Sequence, residues 1–345
     1  MKANGKQQVG RYGLEVTQMG LGGTTFGNLY RPMDEQTVSD TLATAYAGGI
    51  RYFDTAPLYG YGLSEERLGA GLSQYNRNEV VISTKVGYTL VPRLETDEAD
   101  PYFVDTPPLK GSFDYSRDAV LRSVEDSLAR LKTDRIDILL IHDPDEAVSV
   151  DPNSDPYAVS HFSEVMEQTY PVLDELRAQL VVKAIGLGMN QWQMLCDFAV
   201  AGDFDCFLLA GRYTLLEQAP LQRLLPLCAE KNIRIIVGGP YNSGILATGA
   251  IEGAFYSYKP APPEILERTR RIEAVCARHN VALQTAALQF PFGHPAVATI
   301  IPGTRSVAEL EANIAFFEQD TPAAFWDELR AESLIHPDAP SPVSN

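Results

Sequence analysis

The sequence predicts one (β/α)8 barrel of the TIM type, a single α/β domain. Short apolar or β-branched runs alternate with longer helix-period segments along the chain, which implies parallel strands joined by helical crossovers. There are eight such pairs, the number that closes a barrel. The length of 345 residues suits one barrel with loop insertions. A doubly wound open sheet would want G-x-G-x-x-G directly after an early strand. Gly20-Leu21-Gly22-Gly23-Thr24-Thr25 and Gly186-Leu187-Gly188-Met189-Asn190-Gln191 both fail that spacing.

The predicted strands cover residues 18–23, 51–55, 80–87, 136–143, 183–189, 206–212, 234–240 and 298–303. The helices between and after them cover 34–47, 64–72, 116–131, 163–180, 190–200, 220–231, 263–279 and 307–317. Within 116–131, Ala119, Val120, Val124, Leu128 and Leu131 recur at the spacing of one helix face, and Asp118 suits the first turn. Residues 8–17 read as a hairpin plugging the barrel floor, and 322–333 as one extra helix. The barrel domain is expected over 8–334, with the Pro/Ser-rich segment 335–345 as a frayed tail. Three strand-to-helix connections, 88–115, 144–160 and 241–262, are long and would all emerge at the C-terminal mouth. Aromatic side chains (Tyr88, Phe103, Tyr115, Tyr241, Phe255, Tyr256, Tyr258) mark them as functional lids rather than disordered insertions.

Composition excludes several classes. Lys plus Arg is 28 against 45 for Asp plus Glu, a net charge of −17, which disfavours nucleic acid and anionic membranes as partners. The N-terminal stretch lacks an apolar signal region, and no apolar run approaches the ~20 residues of a membrane span. Cys196, Cys206, Cys228 and Cys276 form no C-x-x-C pair, so reduced thiols and a cytoplasmic location are expected. The five histidines are scattered without H-E-x-x-H, and no metal is expected. Oligomeric state stays open.

Chemistry concentrates at the ends of three consecutive strands. The second runs into Asp54 and, five residues on, Tyr59; the third carries Lys85; the fourth ends at His142. A lysine inside a strand of Val and Ile needs a counter-ion, and Asp54 can supply it. The ammonium should lower the Tyr59 pKa from its ordinary value of ~10, so that the phenol exchanges a proton near neutrality. His142 can orient a substrate oxygen or pass a proton. Taken singly, each has a plain structural reading: an interior ion pair, a loop anchor, a satisfied core histidine. Their convergence on one mouth favours catalysis.

These residues lie in longer matching stretches: Phe53-Asp54-Thr55-Ala56-Pro57-Leu58-Tyr59-Gly60, Gly62 to Gly69 with Glu65 and Arg67, Ser83-Thr84-Lys85, Ile141-His142, Ala184-Ile185-Gly186, and Ile301-Pro302-Gly303-Thr304-Arg305 with Asn313. From about Gly13 to Asn313 the chain resembles the aldo-keto reductase superfamily. The resemblance implies a barrel that holds a nicotinamide dinucleotide across its mouth, Tyr59 as proton donor, and Lys85, Asp54 and His142 in the other catalytic roles. It further implies cofactor contacts from Gly23, Thr24, Asp54, Asn190, Gly239, Asn242, Gly244, Gly303, Thr304, Arg305, Glu309 and Asn313, and substrate contacts from Tyr59, His142 and Tyr88. Finer stretches, including Gly238-Gly239-Pro240-Tyr241-Asn242-Ser243-Gly244, are similar to the subgroup of D-threo-aldose 1-dehydrogenases (L-fucose dehydrogenases) and pyridoxal 4-dehydrogenases. Two departures stand out. Many relatives carry Ser-Asn after the fifth strand, where this chain has Gly188-Met189-Asn190. Many place a nicotinamide-stacking Tyr at the end of the seventh, where this chain has Gly238-Gly239.

Cofactor choice turns on the eighth strand. NADP-preferring relatives commonly place a lysine after its proline and an arginine six residues later, where this chain has Gly303 and Glu309. A glutamate near the ribose repels a 2′-phosphate and can accept from a 2′-hydroxyl. NAD is therefore expected, with Arg305 as the group that would admit NADP. The resulting expectation is an NAD-dependent enzyme that oxidises the anomeric hydroxyl of an aldose, such as L-fucose or another D-threo aldose, to the lactone. The alternatives are a pyridoxal 4-dehydrogenase, an NADPH-dependent aldehyde reductase and a cofactor-sensing regulatory subunit.

Overall fold

The computed structural model describes residues 1–98, 100–146, 155 and 157–342. Its strands, in order, are β1 (Lys6–Val9), β2 (Leu14–Thr17), β3 (Leu21–Gly22), β4 (Tyr52–Asp54), β5 (Val81–Val86), β6 (Tyr88–Pro92), β7 (Leu109–Phe113), β8 (Ile138–His142), β9 (Ala184–Met189), β10 (Cys206–Ala210), β11 (Arg234–Gly238), β12 (Phe255–Tyr256), β13 (Lys259–Pro260) and β14 (Val297–Ile301). The helices are α1 (Glu35–Ala47), α2 (Leu63–Leu72), α3 (Arg117–Leu131), α4 (Phe162–Glu164), α5 (Tyr170–Ala178), α6 (Trp192–Ala201), α7 (Leu224–Lys231), α8 (Ile245–Thr248), α9 (Pro263–His279), α10 (Leu283–Gln289), α11 (Val307–Glu318) and α12 (Ala323–Ala331).

Eight of the strands form one parallel sheet in the order β14-β11-β10-β9-β8-β5-β4-β3. Its two edges meet. Gly20 N–H donates to Ile300 O (2.8 Å), Ile300 N–H donates to Gln18 O (3.0 Å), and parallel bridges join Met19 to Ile300 and Gly22 to Gly303. The seam needs glycine: a Cβ on Gly22 would lie 2.9 Å from the Ile301 carbonyl oxygen, and one on Gly20 would lie 2.6 Å from the Tyr52 ring. Below, β1 and β2 pair antiparallel, and their Val9, Leu14 and Val16 pack onto the lowest inward layer of the barrel, with Tyr52, Val81, Ile138, Ala184 and Cys206. The predicted floor hairpin is thus present.

Helix starts follow local chemistry. The Asp34 carboxylate accepts from Thr37 N–H (2.8 Å) ahead of α1, and Ser306 Oγ accepts from Glu309 N–H (3.1 Å) ahead of α11. One assignment is corrected. The barrel's seventh surrounding helix is α10, which lies beside α11, whereas α9, predicted for that place, lies outside against α12. The short α10 is buried on nearly every side, including Leu283, Thr285, Ala286, Ala287, Leu288 and Gln289. It therefore lacks the one-sided apolar pattern that marks a helix in sequence. The long α9 has that pattern because it sits on the outer layer.

The tail expected to fray is packed as far as it is described. Ile335 and Ala339 are buried, His336 N–H donates to Gln218 Oε1 (2.8 Å), and Arg330 Nε donates to Ala339 O (3.1 Å). Of the long connections, 88–115 is a hairpin of β6 and β7, and 241–262 holds α8 and the β12–β13 hairpin. The predicted lid 144–160 lies largely outside the described residues. Among the described residues no helix is long and apolar enough to cross a membrane, and no metal-ligating cluster occurs. The four cysteines are buried thiols.

Candidate active site

Strand alternation builds the floor of the site. In β4, β5 and β8 the residues Tyr52, Val81, Ile138 and Leu140 point into the barrel, so Asp54, Ser83, Lys85 and His142, at the same parity, point inward above them. Lys85 Nζ donates to Asp54 Oδ2 (2.8 Å) and to Thr55 O (2.8 Å). Ser83 Oγ donates to Asp54 Oδ1 (2.7 Å) and lies 2.9 Å from the Tyr52 hydroxyl. Lys85 and Asp54 are both about 1% exposed, so this pair is sealed from water. Gly188, one of the two departures noted above, lies against the lysine stem: a Cβ there would sit 3.2 Å from Lys85 Cε.

Tyr59 lies above this pair, its ring centre 4.6 Å from Lys85 Nζ. Its backbone is set by a glycine contact. A Cβ on Gly27 would fall 2.5 Å from Tyr59 C, and Gly60 turns the chain at φ 62°. His142 stands edge-on across from Tyr59, ring centres 5.7 Å apart, and Tyr88 flanks the same imidazole at 5.3 Å. The matched Glu65 and Arg67 act as braces. Glu65 accepts from Thr84 Oγ1 (2.6 Å) and Arg130 Nε (2.6 Å), and Arg67 donates to Phe26 O (2.7 Å), Asn28 Oδ1 (2.8 Å) and Met33 O (2.8 Å).

Burial governs the protonation states. The Tyr59 pKa is raised by desolvation, with Asp54 adding to the rise, and the Lys85 charge opposes it without reversing it. The expected lowering toward neutrality is therefore corrected: the nearby ammonium is legible in sequence, the dry surroundings are not. Lys85 is held charged; burial works against it, but Asp54 and then Tyr59 outweigh that. His142 is pushed well down, first by burial and then by Lys85, and is neutral near pH 7. Its Nδ1 is buried with no hydrogen-bond partner among the described residues.

One residue beside these was not singled out from sequence. Asp143 is buried and has φ 43°, a left-handed conformation costing about 1–3 kcal/mol. The backbone holds it there: Asp143 N–H donates to Gly188 O (3.0 Å), and its carbonyl accepts from Tyr115 OH (2.9 Å). Its Oδ2 lies 3.6 Å from Nε2 of the neutral His142. The signal available in sequence was only its adjacency to His142.

Two lids meet over the mouth. In the β6–β7 connection, Tyr102 O accepts from Tyr30 N–H (2.6 Å), and the Phe103 ring lies 6.4 Å from that of Tyr59. In the turn between β12 and β13, Tyr258 lies edge-on to Tyr102 at 6.5 Å.

The expected cofactor residues line the same face. Asn190 Nδ2 donates to Ala210 O (2.9 Å), which fixes the amide at the end of β9. Gly239 and Gly211 face each other with φ of 56° and 67°, and Asn242 Nδ2 donates to Gly211 O (3.0 Å). Gly244 (φ 112°) has nothing within 4 Å of where a Cβ would stand. Gly23 lies so close to the Asp54 carbonyl oxygen that a Cβ would approach it to 2.7 Å, and Thr24 opens the next turn. Thr25 Oγ1 donates to Thr304 O (2.7 Å), joining that turn to the loop after β14. Gly303 is exposed there. Asn313 accepts from Tyr241 OH (2.7 Å), and Glu309 Oε2 accepts from Arg305 N–H (2.8 Å) in a capping box at the start of α11. Arg305 Nη2 is buried with no partner among the described residues. An orphaned guanidinium N–H at a helix N-terminus, with open glycines nearby, fits an anionic dinucleotide.

Proton exchange at a phenol, set beside a groove ready for phosphates, is the chemistry of a nicotinamide-dependent barrel oxidoreductase. The Aldo/keto reductase family model matches residues 18–332, and the chain belongs to this family of NAD(P)-dependent enzymes acting on CH–OH groups. Pyridoxal 4-dehydrogenase of Microbacterium luteolum is 39% identical, covering 97% of this chain and 99% of that protein. D-threo-aldose 1-dehydrogenase of a Pseudomonas species is 36% identical, covering 94% and 96%. The fold matches the solved structure of a glycerol dehydrogenase from Gluconobacter oxydans with TM-score 0.74 at 19% identity, covering 99% and 98%.

Proposed function

We propose that this enzyme oxidises the anomeric hydroxyl of an aldose, L-fucose or another D-threo aldose, to the lactone, with NAD as oxidant. The observation that carries the chemistry is the sealed Lys85–Asp54 pair under Tyr59, with neutral His142 opposite. The relative named for D-threo-aldose 1-dehydrogenation supports the substrate, and the one named for pyridoxal supports the second reading. The chemistry that a bound nicotinamide supplies is acceptance of the hydride from C1. Tyr59, as phenolate, takes the proton of the anomeric hydroxyl. Lys85 stabilises that phenolate and is itself kept charged by Asp54. His142 donates a hydrogen bond to the same substrate oxygen and holds it at Tyr59. The test is a panel of L-fucose, other aldoses, pyridoxal and simple alcohols with NAD and NADP, followed at the nicotinamide absorbance. Turnover of pyridoxal with none of the aldoses would overturn the aldose reading.

A pH dependence follows from burial. Oxidation needs the phenolate, and the Tyr59 pKa lies above its ordinary value. Below that pKa the reactive fraction grows tenfold per pH unit. Log kcat/KM for oxidation is therefore expected to rise with a slope of about +1 between about pH 7 and 9, when chemistry limits the rate. A flat profile there would remove Tyr59 as base.

Cofactor preference is expected to favour NAD modestly, by about tenfold, because Glu309 opposes a 2′-phosphate while Arg305 Nη2, unpartnered among the described residues, would welcome one. Gly303→Lys combined with Glu309→Arg should reverse the ratio. The first change is sterically open, since a Cβ on Gly303 meets only Thr25 Cγ2 at 3.4 Å. The second gives up the capping bond to Arg305 and should lower stability by about 1 kcal/mol. Steady-state kinetics with both cofactors reads the outcome, and an unchanged ratio would put the ribose pocket elsewhere.

A further inference from the structure

The Asp143 side chain is 12% exposed, its carboxyl group has no hydrogen bond among the described residues, and burial, reinforced by Asp145, pushes its pKa well up. Its Oδ2 lies 3.6 Å from His142 Nε2, beyond hydrogen-bond length. The side chain lies within electrostatic reach of four phenols, Tyr59, Tyr88, Tyr115 and Tyr258. The backbone is held in a left-handed conformation from both sides, by Gly188 and by Tyr115, which fixes the side chain beside the imidazole. Buried polar groups without partners are expensive, and at an active site the missing partner is commonly the substrate.

We propose that Asp143 is a specificity-determining residue whose carboxyl oxygen accepts a hydrogen bond from the hydroxyl on the carbon next to the anomeric centre. This rests on the aldose reading above and adds which substrate group is read. The anomeric oxygen lies between Tyr59 and His142. Oxygens on neighbouring sugar carbons sit a hydrogen-bond length apart, so with the first on His142 Nε2 the second falls within reach of Asp143. A sugar with a free C2 hydroxyl fills the vacant bond. A 2-deoxy sugar, or a simple alcohol, leaves that position open. A site built to bond a substrate hydroxyl rejects analogues lacking it far more strongly than an apolar pocket rejects a missing methylene.

The experiment compares kcat/KM with NAD for L-fucose, or whichever D-threo aldose the wild type oxidises fastest, and for its 2-deoxy counterpart. Wild type, Asp143→Asn and Asp143→Gly are measured side by side. Asn and Gly both tolerate the left-handed backbone; Asp143→Gly removes the acceptor, whereas Asp143→Asn keeps an amide oxygen that can accept the same bond and serves as the conservative control, so the changes expected below are those of Asp143→Gly, with Asp143→Asn retaining most of the discrimination. Wild type should favour the parent sugar by about 10²-fold or more. Asp143→Gly should shrink that ratio to within about tenfold, through loss on the parent sugar alone, with unchanged NADH affinity by fluorescence titration. Equal losses on both sugars in Asp143→Gly, or an unchanged ratio there, would overturn the proposal and leave Asp143 as a backbone support for His142. A wild type that oxidises pyridoxal and no aldose would overturn the function reading and this proposal together, whereas aldose oxidation with an unchanged ratio removes only the latter.

Discussion

Replacing Tyr59 by phenylalanine is expected to lower kcat for oxidation by about 10²–10⁴-fold while leaving NADH affinity unchanged. The substitution removes one oxygen and nothing else. The ring keeps its place above Lys85 and its contacts with His142 and Phe103, so packing gives no reason for the site to rearrange. What is lost is the group that takes the substrate proton. His142 cannot serve in its place as a strong base, since burial and the Lys85 charge depress its pKa. Single-turnover absorbance kinetics with a fluorescence titration of NADH separates the two effects. A loss of less than tenfold would move proton transfer away from Tyr59.

The Lys85→Met variant is expected to lose both activity and stability. Methionine matches the stem in length, but Asp54 then loses its counter-ion in a sealed interior and, among the described residues, keeps Ser83 Oγ as its side-chain donor. Breaking a buried pair from one side typically costs about 3–5 kcal/mol. Adding Asp54→Asn removes the stranded charge and should recover most of that stability without restoring turnover. Thermal unfolding of the single and double variants, alongside their kinetics, reads this. A double variant no more stable than Lys85→Met would mean that the pair is not what the fold depends on here.

The barrel was legible in sequence because each strand is a short β-branched or apolar run ending in small or polar residues, and the strand parity that aims Asp54, Lys85 and His142 inward follows from it. The α10 helix was not legible, because a helix buried on all sides has no apolar stripe to detect. The catalytic side chains could be named because charged and polar groups stand out inside apolar strands. Asp143 could not, since nothing in the sequence shows that its backbone is left-handed or that its carboxyl group lacks a hydrogen bond. The direction of the Tyr59 shift was misread for a related reason: a lysine nearby is visible in sequence, while desolvation depends on how loops such as 100–103 fold over the mouth. The meeting of Tyr102 with Tyr258 joins segments more than 150 residues apart, which no local pattern encodes. The tail holds through Ile335 and Ala339, two apolar residues set among prolines and serines that give no sequence pattern of packing.

The barrel seam also bears on how the chain comes off the ribosome. Residues 18–22 cannot close against residues 300–303 until nearly the whole chain has been made. At about 5–20 residues per second, that delay is on the order of tens of seconds. Throughout it, β3 waits as an edge strand with open backbone groups, the feature that invites pairing with other chains. The composition the seam demands also lessens the hazard. Gly20, Gly22 and Gly23 are there because no side chain fits against Tyr52, Ile301 and Asp54. A two-residue strand set among glycines, with Leu21 as its one large side chain, is a poor template for aggregation during the wait.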